Sequence, residues 1–226
     1  MGQQALQYGT RVRRKLGLLA LAGATCLGGL TLGVAPAVAE PAAAASVAKP
    51  AMVNDVLASV AATALTQLQT SALAGDEAGL RSYGETRDLI ATEAANRLGI
   101  DPARMITAWQ NADLPHQTAL MAAFSQLGVP YRRNTSKPGA GFDCSGLTTY
   151  AWGVAGVTLT RQSGSQIRAA SPRTPETAMA GDLMYYPGHV AMYLGVDRAM
   201  IHSPRTGRTV EVANMRKSPR FGNPIG

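Results

Sequence analysis

Apolar residues set the first half of the chain apart from the second. Val53, Val56, Leu57, Val60, Ala64 and Leu68 recur at three- and four-residue steps, which predicts a helix over Met52 to Ala74 that stops at Gly75. Ser82-Tyr83-Gly84-Glu85 has the form of a capping box, predicting a second helix with Leu89, Ile90 and Ala94 inward and a stop at Gly99. Asp101-Pro102 pairs an N-cap with a proline at the first helical position and opens a third helix through Ile106 and Trp109. Beyond Leu114-Pro115 the pattern gives a helix from Gln117 to Leu127, a loop from Gly128 to Gly141 and a helix from Asp143 to Gly153. Four short β-type runs follow, at Leu183–Tyr186, His189–Leu194, Ala199–Ser203 and Thr209–Val212, separated by Gly, Pro and Asp-Arg turns. Helices first and strands afterwards predict an α+β fold with an antiparallel sheet.

The extreme N-terminus reads differently. Arg11, Arg13, Arg14 and Lys15 precede an uncharged run from Leu16 to Val34, and Ala37-Val38-Ala39 supplies the small residues of a cleavage site. Residues 1–39 are therefore expected to be a signal peptide, cut before Glu40, rather than a membrane anchor, since Gly, Ala and Thr dilute the run. Arg13-Arg14 alone does not choose between general and twin-arginine export. The expected layout is a signal peptide over 1–39, a linker and helical region over 40–115, and a catalytic domain over 116–226 with a short basic C-terminal tail. No permanent membrane span is expected after cleavage. Of 226 residues, 21 are Lys or Arg and 14 Asp or Glu, a surplus of +7. Four of those bases leave with the signal, and the remainder does not call for a nucleic-acid partner.

Cysteine usage narrows the chemistry. Cys26 falls in the leader, so the mature chain keeps one thiol, Cys144, and cannot staple itself with a disulfide. In Phe142-Asp143-Cys144-Ser145-Gly146 that thiol opens a helix with Asp143 as its N-cap. There, unpaired N–H groups and the helix dipole favour an anion and can stabilise an oxyanion. His116 follows Pro115 at a helix start, where an exposed or capping role is expected. His189 and His202 instead lie in apolar strand-like runs. A four-residue loop over Gly195–Arg198 would pair Leu194 with Ala199 and set His202 opposite Ala191, bringing both rings to one face. With the Cys144 helix laid across that face, thiol, base and orienting residue form a nucleophilic triad. A satisfied core pair of histidines is the competing reading. A zinc site is weaker, as no CxxC or HExxH spacing occurs, and neither metal nor cofactor is expected.

Five segments in order then resemble the NlpC-type (NlpC/P60) family of bacterial cell-wall cysteine peptidases: Leu127-Gly128-Val129-Pro130-Tyr131, Gly141–Leu147, Ala180-Gly181-Asp182-Leu183, His189–Gly195 and Ile201-His202-Ser203-Pro204. The resemblance implies a papain-like domain with helices packed on its sheet. It implies Cys144 as nucleophile, His189 as general base and His202 as the orienting residue. Tyr131, Asp143, Ser145 and Arg161 are implied at substrate-binding positions. The implied substrate is the peptidoglycan stem peptide, cut between D-glutamate and a diamino acid. Arg132, Arg133, Lys137, Arg161 and Arg168 stand near the motifs, where they can pair with stem carboxylates. The chain departs from the family in having Tyr131-Arg132-Arg133-Asn134 where Trp-Gly-Gly usually follows the tyrosine, and Thr160 where Pro usually precedes the arginine. Alternatives are an amidase acting on the muramyl–L-alanine bond and a non-catalytic wall-binding protein.

Overall fold

The computed structural model describes residues 55–215 and 218–226. The expected signal peptide and linker lie outside them. Helix α1 (Val56–Ala74) starts at Asp55, whose side chain accepts from the Leu57 N–H, and ends at Gly75 in the left-handed region. Its buried face is Leu57, Ala61, Ala64 and Leu68, while Val56 turns outward. Helix α2 (Glu77–Leu98) corrects the expected capping box: Asp76 caps it six residues earlier, and Ser82 to Glu85 are ordinary helical turns. Ile90 and Ala94 point inward as expected, but Leu89 is exposed. Helix α3 (Pro102–Gln110) has the Asp101 cap and leading proline expected.

Helix α4 (Leu114–Phe124) begins earlier than the pattern suggested, because the Asp113 carboxylate accepts from the His116 N–H. The expected boundary between residues 115 and 116 therefore falls inside a helix. A two-stranded ribbon, β1 (Ser136–Lys137) with β2 (Gly141–Phe142), leads into α5 (Cys144–Val154). Helix α6 (Ser163–Ala169) was not legible in the pattern.

The main sheet is antiparallel, in the order β3-β8-β4-β5-β6-β7. Its strands are β3 (Ser171–Arg173), β4 (Leu183–Tyr186), β5 (His189–Tyr193), β6 (Ala199–His202), β7 (Glu211–Asn214) and β8 (Arg220–Asn223). The segment expected as a basic tail thus supplies an inner strand, β8, hydrogen-bonded to both β3 and β4. Strand β7 begins two residues later than expected. Ahead of it, Val210 exchanges backbone hydrogen bonds with the Gly128–Val129 segment before the chain turns to pair with β6. This mixed α+β arrangement, with α5 laid against β5, is the expected papain-like one.

One apolar cluster runs from α1 through α5 into the sheet, including Leu68, Ile90, Trp109, Phe124, Leu147, Trp152, Leu183 and Ile201. Trp109 also donates its indole N–H to the Leu194 carbonyl at 3.0 Å, tying α3 to the β5–β6 turn. The α1–α3 helices are thus built into the core of the sheet domain.

Candidate active site

The geometry begins with a strand register. Met192 pairs with Ile201 and Tyr193 with Met200, and Leu194 N–H donates to the Ala199 carbonyl at 3.0 Å. This is the register expected from a four-residue loop, and it puts His189 and His202 on the same face of the sheet. Nε2 of His189 lies 2.9 Å from Nδ1 of His202, with the rings nearly perpendicular at 84°. Both rings are buried. Burial, reinforced by the charge His202 would carry, pushes His189 down to about 4, and burial together with the Arg208 guanidinium pushes His202 down to about 4. Near neutral pH the pair is uncharged, so one nitrogen of the contact donates and the other accepts.

Cys144 arrives at the start of α5, partly buried. Asp143 caps that helix, its Oδ1 accepting from the Gly146 N–H at 2.7 Å. The entry leaves no room for a side chain at position 146, since the Thr135 carbonyl, which accepts from Asp143 N–H at 3.0 Å, would clash with a Cβ there. A second lock joins this entry to the histidines. The Phe142 carbonyl, two residues before Cys144, accepts from the Ser203 hydroxyl at 2.8 Å and from the Arg132 N–H at 2.8 Å. Ser203 directly follows His202, so one hydrogen bond fixes the approach of the thiol segment to the end of β6.

Two tyrosines lie near enough to Cys144 to feel its charge. The Tyr131 phenol is raised by burial and then by the nearby Cys144 and Asp143, and Tyr131 sits in a bridge beside Phe142. The Tyr186 phenol is raised by burial and by Cys144, and its ring lies 5.0 Å from that of His189. Sequence reasoning missed Tyr186. Its signal was the Tyr186-Pro187-Gly188-His189 turn, which pairs Tyr186 directly with His189.

Asp143, Ser145 and Arg161, implied above at substrate-binding positions, are bonded to one another. Arg161 grips both carboxylate oxygens of Asp143, at 2.9 and 2.7 Å, and donates to the Ser145 hydroxyl at 2.9 Å. The hydrogen bond to Asp143, ahead of the opposing effect of burial, raises the guanidinium above its ordinary value. Both terminal nitrogens of Arg161 are thereby engaged within the chain. The Thr160 carbonyl, at the position where the resemblance implied proline, accepts from the buried Gln166 amide at 2.9 Å, and the same amide donates to the Ser145 carbonyl. Gln166 thus holds the arginine segment onto the first turn of α5. In the other departure, Arg132 lies over Gly141 and donates to the Ala140 carbonyl, and Asn134 takes a left-handed φ of 56°.

Of the exposed or capping roles expected for His116, the structure excludes the exposed one. The residue is fully buried, with Nδ1 2.6 Å from Asp113 and Nε2 3.1 Å from the buried Asp182, and its ring edge meets Trp152.

Part of the chain is similar to known proteins. The model described as the NlpC/P60 family matches residues 128–220. The gamma-D-glutamyl-L-lysine dipeptidyl-peptidase of Bacillus cereus is 43% identical over 95 residues, covering 38% of this chain and 28% of the relative. The peptidoglycan endopeptidase RipB of Mycobacterium tuberculosis is 39% identical over 124 residues, covering 48% of this chain and 51% of the relative. A solved P60 domain of an antigen from M. avium subspecies paratuberculosis is 34% identical, covering 50% of this chain and 96% of that domain, with a TM-score of 0.44. Residues 128–220 thus match the NlpC/P60 family, and the two curated relatives just named are cell-wall hydrolases by name. The chain spans about half or less of the length of these curated relatives.

Proposed function

We propose that the chain is a cysteine peptidase of the bacterial envelope that cuts peptidoglycan stem peptides between D-glutamate and the following diamino acid. The observation that carries the reading is the 2.9 Å contact between His189 Nε2 and His202 Nδ1, taken with Cys144 at the capped N-terminus of α5, the helix packed against β5. With Nε2 engaged, Nδ1 of His189 is the nitrogen that takes the thiol proton. The thiolate attacks the D-glutamyl carbonyl carbon, and the oxyanion is met by the N–H end of α5. Collapse breaks the C–N bond, with the His189 proton passing to the leaving amine. Water, deprotonated by His189, then releases the acyl group and restores the thiol. In this reading Tyr131 and Tyr186 wall the approach to sulfur. Asp143, Ser145 and Arg161 border the substrate and hold the first turn of α5, and Arg161 acts as a brace rather than as a free clamp for stem carboxylates. The chain is taken as exported, with residues 1–39 removed.

Defined muropeptides incubated with protein from Glu40 onward, and with Cys144→Ala, test the reading by mass spectrometry. Products that end in D-glutamate or begin with the diamino acid are expected from the wild type alone. Cleavage at the muramyl–L-alanine bond would favour an amidase, and binding to sacculi without turnover a wall-binding protein. N-terminal sequencing of exported protein should begin at Glu40.

A further inference from the structure

A buried atom beside the histidine pair has no partner. Nε2 of His202 is buried and, among the described residues, makes no hydrogen bond. Glu211 Oε1 stands 3.6 Å from it, too far for a hydrogen bond but near enough to set the local field. The two residues are direct cross-strand partners in the β6–β7 register. Glu211 is held in turn by Arg208, whose Nε lies 3.1 Å from Oε2 and whose Nη2 lies 2.6 Å from both oxygens.

A neutral imidazole carries its single proton on one nitrogen or the other. Were the His202 proton on Nδ1, it would be donated to His189 Nε2. His189 would then hold its own proton on Nδ1 and could not accept another there. The bare lone pair of His202 Nε2 would also lie buried opposite a carboxylate. With the proton on Nε2, His202 turns an N–H toward Glu211, and a small swing of that side chain closes the gap to hydrogen-bonding distance. Nδ1 of His202 then accepts from His189 Nε2–H, which leaves His189 Nδ1 free. The carboxylate favours this second arrangement, since an unpaired buried polar atom costs about 1–3 kcal/mol.

We propose that Glu211 is a positioning residue that selects the Nε2–H tautomer of His202 and, through it, the tautomer of His189 able to accept the Cys144 proton. The last link rests on the catalytic reading of Cys144 and His189. The charged and titratable groups around the His202 ring are His189 from β5, Glu211 from β7 and Arg208 from the turn before β7. Burial and then the Arg208 guanidinium oppose protonation of His202, so near neutral pH the ring carries one proton and the carboxylate bears on which nitrogen holds it.

Long-range nitrogen–proton NMR of the histidine rings, recorded above their titration on wild type, Glu211→Gln and Glu211→Leu, tests this. Both His189 and His202 are expected as Nε2–H in the wild type. In Glu211→Gln, which keeps the volume and offers both a donor and an acceptor, His202 should become a mixture of tautomers. In Glu211→Leu the Nδ1–H form should grow further, with kcat on muropeptide falling about tenfold or more and KM nearly unchanged. An Nδ1–H His202 in the wild type, or tautomers unmoved in Glu211→Gln, would overturn the proposal whatever the activity. Turnover that survives in Cys144→Ala would remove the catalytic reading instead, and would leave the ring spectra as they are.

Discussion

His189 can serve as a base only while its ring is unprotonated, and its surroundings extend that range downward. Burial and the neighbouring His202 hold it at about 4, so the neutral form persists well below the ordinary histidine value of about 6.5. The acid limb of kcat/KM on a stem-peptide substrate is therefore expected below about pH 5.5. A limb at or above that of a free imidazole would contradict the burial argument. His116 shifts the other way. Burial, the largest single influence, lowers it, but hydrogen bonds to Asp182 and Asp113 together outweigh that and raise it above its ordinary value. A raised folded-state value means that its contribution is complete below the unfolded value of about 6.5 and fades as pH climbs through the raised one. His116→Gln leaves Asp182 buried without its cation and should cost about 3 kcal/mol at pH 5.5, shrinking by pH 9. Urea denaturation of both proteins at the two pH values measures the gap, and a gap that widens with pH would reverse the sign of this account. None of this was legible in the sequence. Asp113-x-x-His116 reads as an ordinary helix start, and Asp182 is 66 residues away. Cys144, His189 and His202 were legible because each stands out locally, a thiol at a helix start and two rings in apolar strands.

Among the elements, what was readable depended on how much local chemistry each carried. Helix α3 and the β5–β6 hairpin were readable, the first from Asp101-Pro102 and the second from a four-residue turn with left-handed Gly195 and Asp197. Helix α2 was misplaced because two acceptable caps compete. Asp76, directly after the left-handed Gly75, begins the helix, and Ser82 then has no free helix end to cap. Strand β8 gave no signal, since Arg220-Phe221-Gly222-Asn223 does not alternate and owes its place to pairing on both sides. The join between the β6 end and the α5 entry could not be read either, because its donor and acceptor, Ser203 and Phe142, are 61 residues apart. Ser203→Ala removes that tie while leaving every proposed catalytic group in place. The expected result is a loss of about 1 kcal/mol in stability and a three- to tenfold drop in kcat with little change in KM. Full activity in that variant would mean that β2 and α5 hold the thiol unaided. Gly146→Ala tests the same entry sterically. Its Cβ would meet the Thr135 carbonyl, a backbone atom that cannot rotate aside, so a loss of about 1–3 kcal/mol in chemical denaturation is expected.

At the scale of the described chain, the helical segment raises the question of whether α1–α3 merely space the sheet domain from the wall. By length and mean hydropathy α1 is, among the described residues, the one helix able to cross a bilayer. Yet Leu57, Ala61, Ala64 and Leu68 are buried in the shared core, and its outer side carries Thr63, Thr66 and Thr70. Helix α3 inserts Trp109 beneath the β5–β6 turn, stacked edge-on against Phe124 of α4. Arg104 pairs with Asp197 in that same turn, and Asn214 of β7 donates to the Leu98 carbonyl at the end of α2. These ties reach the very strands that set the His189–His202 register. A spacer or removable cover would come away cleanly, whereas loss of a core layer exposes Phe124, Leu120 and Leu194 to water. Protein beginning at Leu114 should therefore be less stable and less active than protein beginning at Glu40. Trp109→Ala in the longer chain should already cost about 3–5 kcal/mol. Thermal melts and muropeptide turnover of the two lengths decide the matter. A shorter chain that melts at the same temperature and turns over faster would mean that α1–α3 cover the cleft, while equal activity and equal melting would make them a spacer.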